Sequence, residues 1–272
     1  MNKSARLLII NALLKSKFMK LNFRTLGSGD PLIIMHGVFG SSDNWQTLGK
    51  VFSENFKVYL VDLRNHGNSP HSDMFNYDVM VEDIVELMTD QGITKANFLG
   101  HSMGGKVAMH FATQHSRMVD RLIVVDIAPK YYPPHHQQIF EGFHSIDLST
   151  LKNRKEADEQ MAKVISNFGV RQFILKNLDR RKDGSFGWKL NLEVIERAVE
   201  NVGEGIEGEV SFVGKTIFIA GGKSDYINSG DRELIQKYFP GSQIVTVDGA
   251  GHWVHAEKPQ ELSDLVLDFL SQ

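Results

Sequence analysis

The residues best placed to do chemistry lie in Gly100-His101-Ser102-Met103-Gly104. This is the G-x-S-x-G pattern of a nucleophile elbow, in which a serine sits on a strained turn between a strand and a helix. Glycines two before and two after let backbone pass close without a Cβ in the way. The apolar run Ala96 to Leu99 ahead of the motif reads as the strand, and Lys106 to His115 behind it as the helix. A serine hydroxyl is a weak nucleophile until a base takes its proton. The expected base is a histidine on a late loop, and Gly249-Ala250-Gly251-His252-Trp253 supplies one directly after the last apolar run. His255, three residues on, is the close rival. Of the other histidines, His110 and His115 fall on a helix and His101 lies within the elbow, where a structural role is expected. His71, His135, His136 and His144 fall in polar stretches. The pair His135-His136 has no third metal ligand nearby and reads as solvated.

A third group must orient the imidazole and stabilise its charged form. Asp126 closes the run Leu122 to Val125, and Asp225 follows the run Thr216 to Ala220. Either is allowed. The plainer role of Asp126 is a hinge, and that of Asp225 a helix N-cap. Acyl transfer also needs two backbone N–H groups aimed where an oxyanion forms. Met103, next after the serine, supplies one. The loop His36-Gly37-Val38-Phe39-Gly40 supplies the other, expected from Val38 with Phe39 as the rival.

Elements that could position these groups recur along the chain. Leu32 to Met35, Val58 to Val61, Ala96 to Leu99, Leu122 to Val125, Thr216 to Ala220 and Ile244 to Val247 are short apolar runs. Such runs read as strands buried on both faces. Between them, Asn44 to Glu54, Tyr77 to Met88 with Asn76 as N-cap, and Pro259 to Leu270 carry helical periodicity. This alternation predicts a mostly parallel α/β sheet flanked by helices. Ligands in such sheets bind beyond the carboxyl ends of the strands, where the candidate residues lie. Residues 129–214 break the alternation with helix-period segments and no clear strand. They read as a helical cap inserted between late strands, splitting a core of residues 19–128 and 215–272.

Residues 1–18 carry Lys3 and Arg6 ahead of Leu7 to Ile10, loosely like a signal peptide. Asn11 and the absence of a small-x-small cleavage site argue against that, and the run is too short to span a bilayer. They read as an extension ahead of a domain beginning near Met19. No other stretch stays apolar long enough for a membrane span.

Thirty basic and 33 acidic side chains leave a net charge of −3, with no basic face for nucleic acid. With 42% hydrophobic and 23% charged residues, the chain has the composition of a soluble globular protein of one or two domains. The sequence has no cysteine, which removes disulfides, thiolate metal sites and cysteine nucleophiles together. It also fits a reducing compartment, so a cytoplasmic location is expected. Oligomeric state is not legible.

The ordered set HGVFGSSDNW, DLRNHGNSP, GHSMGGK, VVDIAP, GGKSDY and GAGHWVHAEKP resembles the α/β-hydrolase superfamily. Within it, the chain is similar to the small bacterial YbfF-type esterases from about Met19 onward. The resemblance implies that Asp126 is the acid and that Ser224 joins it around His252. The chain departs from that pattern in having Asp225 where proline is common, which leaves a second carboxylate as the alternative acid. The resemblance also implies hydrolysis of small carboxylic esters or thioesters, acyl-CoA among them, with no metal or organic cofactor. Phe39, Met103 and apolar cap residues would line the acyl pocket. Ser102 speaks against relatives that use a carboxylate nucleophile, such as haloalkane dehalogenases and epoxide hydrolases. Carbon–carbon bond hydrolases, cofactor-free haloperoxidases and a ligand-binding scaffold without turnover are the competing readings.

Overall fold

The computed structural model describes residues 19–272, so the extension read over residues 1–18 lies outside the described residues. Seven strands form one sheet: β1 (Phe23–Leu26), β2 (Asp30–Met35), β3 (Phe56–Val61), β4 (Ala96–His101), β5 (Val119–Val125), β8 (Lys215–Gly221) and β9 (Gln243–Val247). Their order is β1-β3-β2-β4-β5-β8-β9. All pairs are parallel except β1 on β3. Strand β1 has no apolar run to announce it. Its four residues are Phe, Arg, Thr and Leu, with Phe23 packed on one core and Leu26 on the other at the sheet edge.

Side chains alternate between the faces of each strand. Ile33, Met35, Tyr59, Val61, Phe98, Leu122, Val124 and Phe218 therefore share one core. Leu32, Ile34, Val58, Leu60, Leu99, Ile123, Val125, Ile217 and Ile219 share the other. The first core is covered by α2 (Tyr77–Asp90) and α3 (Met103–Gln114), through residues such as Met80, Ile84, Val107 and Phe111. The second is covered by α1 (Gln46–Phe52) and α11 (Pro259–Ser271), through Leu48, Phe52, Leu262, Val266 and Phe269. Asn76 caps α2 as expected, its side chain accepting the Val79 N–H at 3.1 Å.

Between β5 and β8 the chain leaves the sheet as α4 (Gln137–His144), α5 (Arg154–Met161), α6 (Phe168–Leu175), α7 (Leu192–Arg197) and α8 (Val199–Gly203). This stretch is not purely helical. β6 (Leu178–Arg180) and β7 (Phe186–Trp188) pair as an antiparallel hairpin. Strands of three residues leave too little alternation to be read from sequence. Phe140, Phe143, Met161 and Ile174 of this stretch join the same core as the sheet residues. Both ends of the insertion are tied to one side chain. Lys106 on α3 is fully buried and donates to the carbonyls of Lys130 and Glu204, with its ammonium 5.0 Å from the Tyr132 ring. The loop after β9 leads through α10 (Val254–Glu257) into α11, and α9 (Arg232–Tyr238) joins β8 to β9.

Candidate active site

Ser102 occupies the turn from β4 to α3 with φ 52° and ψ −118°. That backbone is strained for a side chain bearing a Cβ and persists only where surroundings enforce it. The enforcement is visible. The Ser102 N–H donates to the Val125 carbonyl at 3.0 Å, and a Cβ on Gly104 would lie 2.4 Å from the Met35 carbonyl oxygen. Helix α3 begins at Met103, three residues earlier than periodicity indicated. Gly104 and Gly105 look unhelical by propensity, but close approach to β2 requires the first of them.

His252 lies beyond β9. Its Nδ1 is 2.8 Å from Asp126 Oδ2 and its Nε2 is 3.1 Å from Ser102 Oγ. With Nδ1–H donating to the carboxylate, Nε2 is left as acceptor for the serine hydroxyl. Asp126 is fully buried at φ 52°, and it also accepts the Gly221 N–H at 2.8 Å and the Ser224 hydroxyl. Three donors thus meet one buried carboxylate. Asp225 is exposed and has no place in this set, and Asn228 rather than Asp225 caps the following turn. His255 is buried against Trp45, with ring centroids 4.7 Å apart, and burial pushes it down to about 3. It is a packing residue, not a second base.

The loop after β2 is held by histidines that sequence reasoning did not single out. His36 donates from Nδ1 to the Gly37 carbonyl at 2.8 Å and accepts the Leu63 N–H at 3.0 Å. His66 donates to the Arg64 carbonyl and accepts the Phe39 N–H at 3.3 Å; burial pushes it down to about 3, so it stays neutral and able to accept. Asn177, after α6, donates to the Phe39 carbonyl at 2.8 Å. Phe39 sits at φ 62°, and its ring meets Phe140 edge-on at 5.4 Å.

Ser102 opens into a cavity of about 290 Å³, lined by Val38, Phe39, Trp45, Ile139, Phe173, Tyr226 and Trp253 among others. A second space of about 20 Å³ lies beside Met103, Ile127 and Tyr132. Phe39 therefore faces the larger space and Met103 the smaller. His135 and His136 border both spaces; His135 is exposed, as expected, while His136 is half-buried. His135 accepts the Tyr226 hydroxyl, and His136 packs edge-on against Phe39 at 5.5 Å. Burial pushes His136 down to about 4. His101 donates from Nε2 to the His252 carbonyl at 2.8 Å, and burial holds it well below the usual histidine range. Tyr226 lies flat on His252, with ring centroids 3.8 Å apart at 16°. Nothing in the sequence pattern marks that contact beyond its place in the GGKSDY segment. Among the described residues, no group of three or more His, Asp or Glu side chains is arranged to hold a metal ion. No helix among them is long and apolar enough to cross a membrane.

Residues 30–259 match the family described as alpha/beta hydrolase fold. The chain belongs to the α/β-hydrolase family. Within this family it is 34% identical to esterase YbfF of Escherichia coli, over 93% of the chain and all of that protein. It is 38% identical to the sn-1-specific diacylglycerol lipase ABHD11 of Danio rerio, over 90% of the chain and 80% of that protein. A solved structure titled marine microorganism esterase superposes with a TM-score of 0.90 at 42% identity, covering 92% of the chain and 99% of that one. The chain is an α/β-hydrolase of the YbfF type.

Proposed function

We propose that the protein hydrolyses small carboxylic esters through an acyl-enzyme on Ser102. The observation that carries this is one imidazole, that of His252, within reach of both Ser102 Oγ at 3.1 Å and the buried Asp126 carboxylate at 2.8 Å. Ser102 Oγ attacks the acyl carbon as its proton passes to His252 Nε2. Asp126, steadied by Gly221 and Ser224, stabilises the imidazolium that results. The carbonyl oxygen becomes an anion between the N–H groups of Met103 and Val38. Val38 is chosen because the neighbouring Phe39 N–H is taken by His66. The intermediate collapses as His252 Nε2 returns the proton to the leaving alcohol. Water then enters, loses a proton to His252 and releases the acid by the same route.

The aromatic and aliphatic walls of the larger cavity suit the acyl chain. A thioester such as an acyl-CoA fits the same steps, since the scissile bond again joins an acyl carbon to a leaving group. A cytoplasmic setting accompanies that option and rests on the cysteine-free sequence.

A fluorophosphonate should label the folded chain, and Ser102→Ala should abolish the labelling. A panel of graded esters and acyl-CoA thioesters, with a diacylglycerol added because relatives bear that name, should show turnover lost in the same variant. Folded protein that neither labels nor cleaves any ester would refute the proposal.

A further inference from the structure

We infer that Tyr226 is a positioning residue for this hydrolysis: its ring face keeps the His252 imidazole in line between Ser102 and Asp126 and stabilises the imidazolium formed during turnover. This rests on Ser102, His252 and Asp126 being the reacting set. The two rings are nearly parallel at 16° with centroids 3.8 Å apart, the tightest ring contact His252 makes. An aromatic face is electron-rich and attracts a cation more than a neutral ring. The contact therefore strengthens as His252 gains its proton, and only such differential interactions speed the chemical step.

Tyr226 is itself held on several sides. Its N–H meets Ser224 Oγ at 3.3 Å, the hydroxyl that also donates to Asp126. Its carbonyl accepts from the Tyr132 hydroxyl, which takes the Ala128 N–H at 2.9 Å. Its own hydroxyl donates to His135, whose other nitrogen donates to the Pro133 carbonyl at 2.9 Å. The ring is thus fixed from the loop after β8 and from the start of the insertion together. The other groups facing His252 act on its ring nitrogens or stay neutral and do not offer this face-on contact. Asp126 binds one ring nitrogen and Ser102 the other. His101, with its ring centroid 4.7 Å away, and the neighbouring His136 and His255 are all driven toward the neutral form by burial. Tyr226 is the neighbour that offers a flat π surface to the charged ring without competing for a proton.

The test uses the full chain and a p-nitrophenyl ester across pH 5 to 9. Tyr226→Leu, which removes the ring, should lower kcat roughly tenfold with most of the loss in kcat rather than KM. It should also move the acid limb of the rate profile to lower pH, because the protonated imidazole has lost a partner. Tyr226→Phe should recover most of that loss. Tyr226→Met serves the same comparison where the leucine variant does not fold. NMR titration of the His252 ring in a Ser102→Ala background should show the same downward movement in the ringless variants. That measurement reads the contact even if no ester is cleaved, so failure of the hydrolase proposal stays distinguishable. A ringless variant with unchanged kcat and titration overturns the inference. So does a phenylalanine variant as impaired as the leucine one, which would assign the effect to the hydroxyl on His135.

Discussion

Asp126 and His252 meet at 2.8 Å across 126 positions of sequence, and the carboxylate is entirely buried at that meeting. An imidazole held by a buried, three-donor carboxylate has one tautomer available, the one that leaves Nε2 free to take the serine proton. Asp126→Asn should therefore lower kcat by about 10³- to 10⁴-fold while the protein stays folded, since the amide favours the wrong tautomer. Asp225→Asn, changed at an exposed position, should leave kcat within about twofold, as surface substitutions usually do. Ester hydrolysis by the two purified variants decides it, and comparable losses would remove Asp126 as the acid.

Lys106 makes a second prediction, about the insertion rather than the reacting groups. Its ammonium serves carbonyls at both ends of the insertion, Lys130 and Glu204. Lys106→Met keeps the volume and leaves those acceptors unmet, at about 1–3 kcal/mol for each one that water cannot reach. For a chain of this size, each kcal/mol corresponds to roughly 2–4 °C in Tm. Thermal unfolding should show a fall of several degrees, and limited proteolysis should cut first within residues 130–204. An unchanged Tm would mean the carbonyls find other donors.

A third prediction concerns acid. Burial pushes His66 and His255 down to about 3, and His110 and His136 down to about 4. The unfolded chain takes up those protons near 6.5 while the folded one refuses them, so the unfolded state binds more protons as pH falls. Stability from these groups is fully present above about pH 6.5 and is lost as pH falls toward 4 and below. Each histidine contributes up to about 1.4 kcal/mol per pH unit in that window. His255→Phe keeps the stacking on Trp45 and removes a buried ring nitrogen that has no hydrogen-bond partner. Its Tm measured from pH 4 to 8 should fall less steeply than that of the wild type. A parallel slope would show that His255 protonates in the folded state.

Ser102 and His252 were legible in the sequence because each follows an apolar run in a glycine-marked turn, Ser102 between Gly100 and Gly104 and His252 after Gly249 and Gly251, and such runs are a local signal. The five inner strands and the edge strand β9 were legible for the same reason. Strand β1 was not, since Arg24 and Thr25 separate its two apolar residues and leave no run, and β6 and β7 are too short to show a period. The choice between Asp126 and Asp225 stayed open in the residues themselves, because both follow strands; the backbone turn at φ 52°, the burial and the contact with His252 separate them. Asn177 on the Phe39 carbonyl joins residues 138 positions apart, and Tyr226 on His252 joins loops after different strands. Contacts of that kind belong to the packed fold and leave no periodicity to read.

The fastening at Lys106 bears on how such a protein can diversify. The two feet of the insertion stand on a side chain four residues beyond the nucleophile, on the helix that also shapes the elbow. Whatever lies between those feet can be lengthened, shortened or exchanged while its points of departure and return stay fixed relative to Ser102. A segment grafted between Lys130 and Glu204 would thus inherit its alignment with the reacting serine and be free to reshape only the chamber above it.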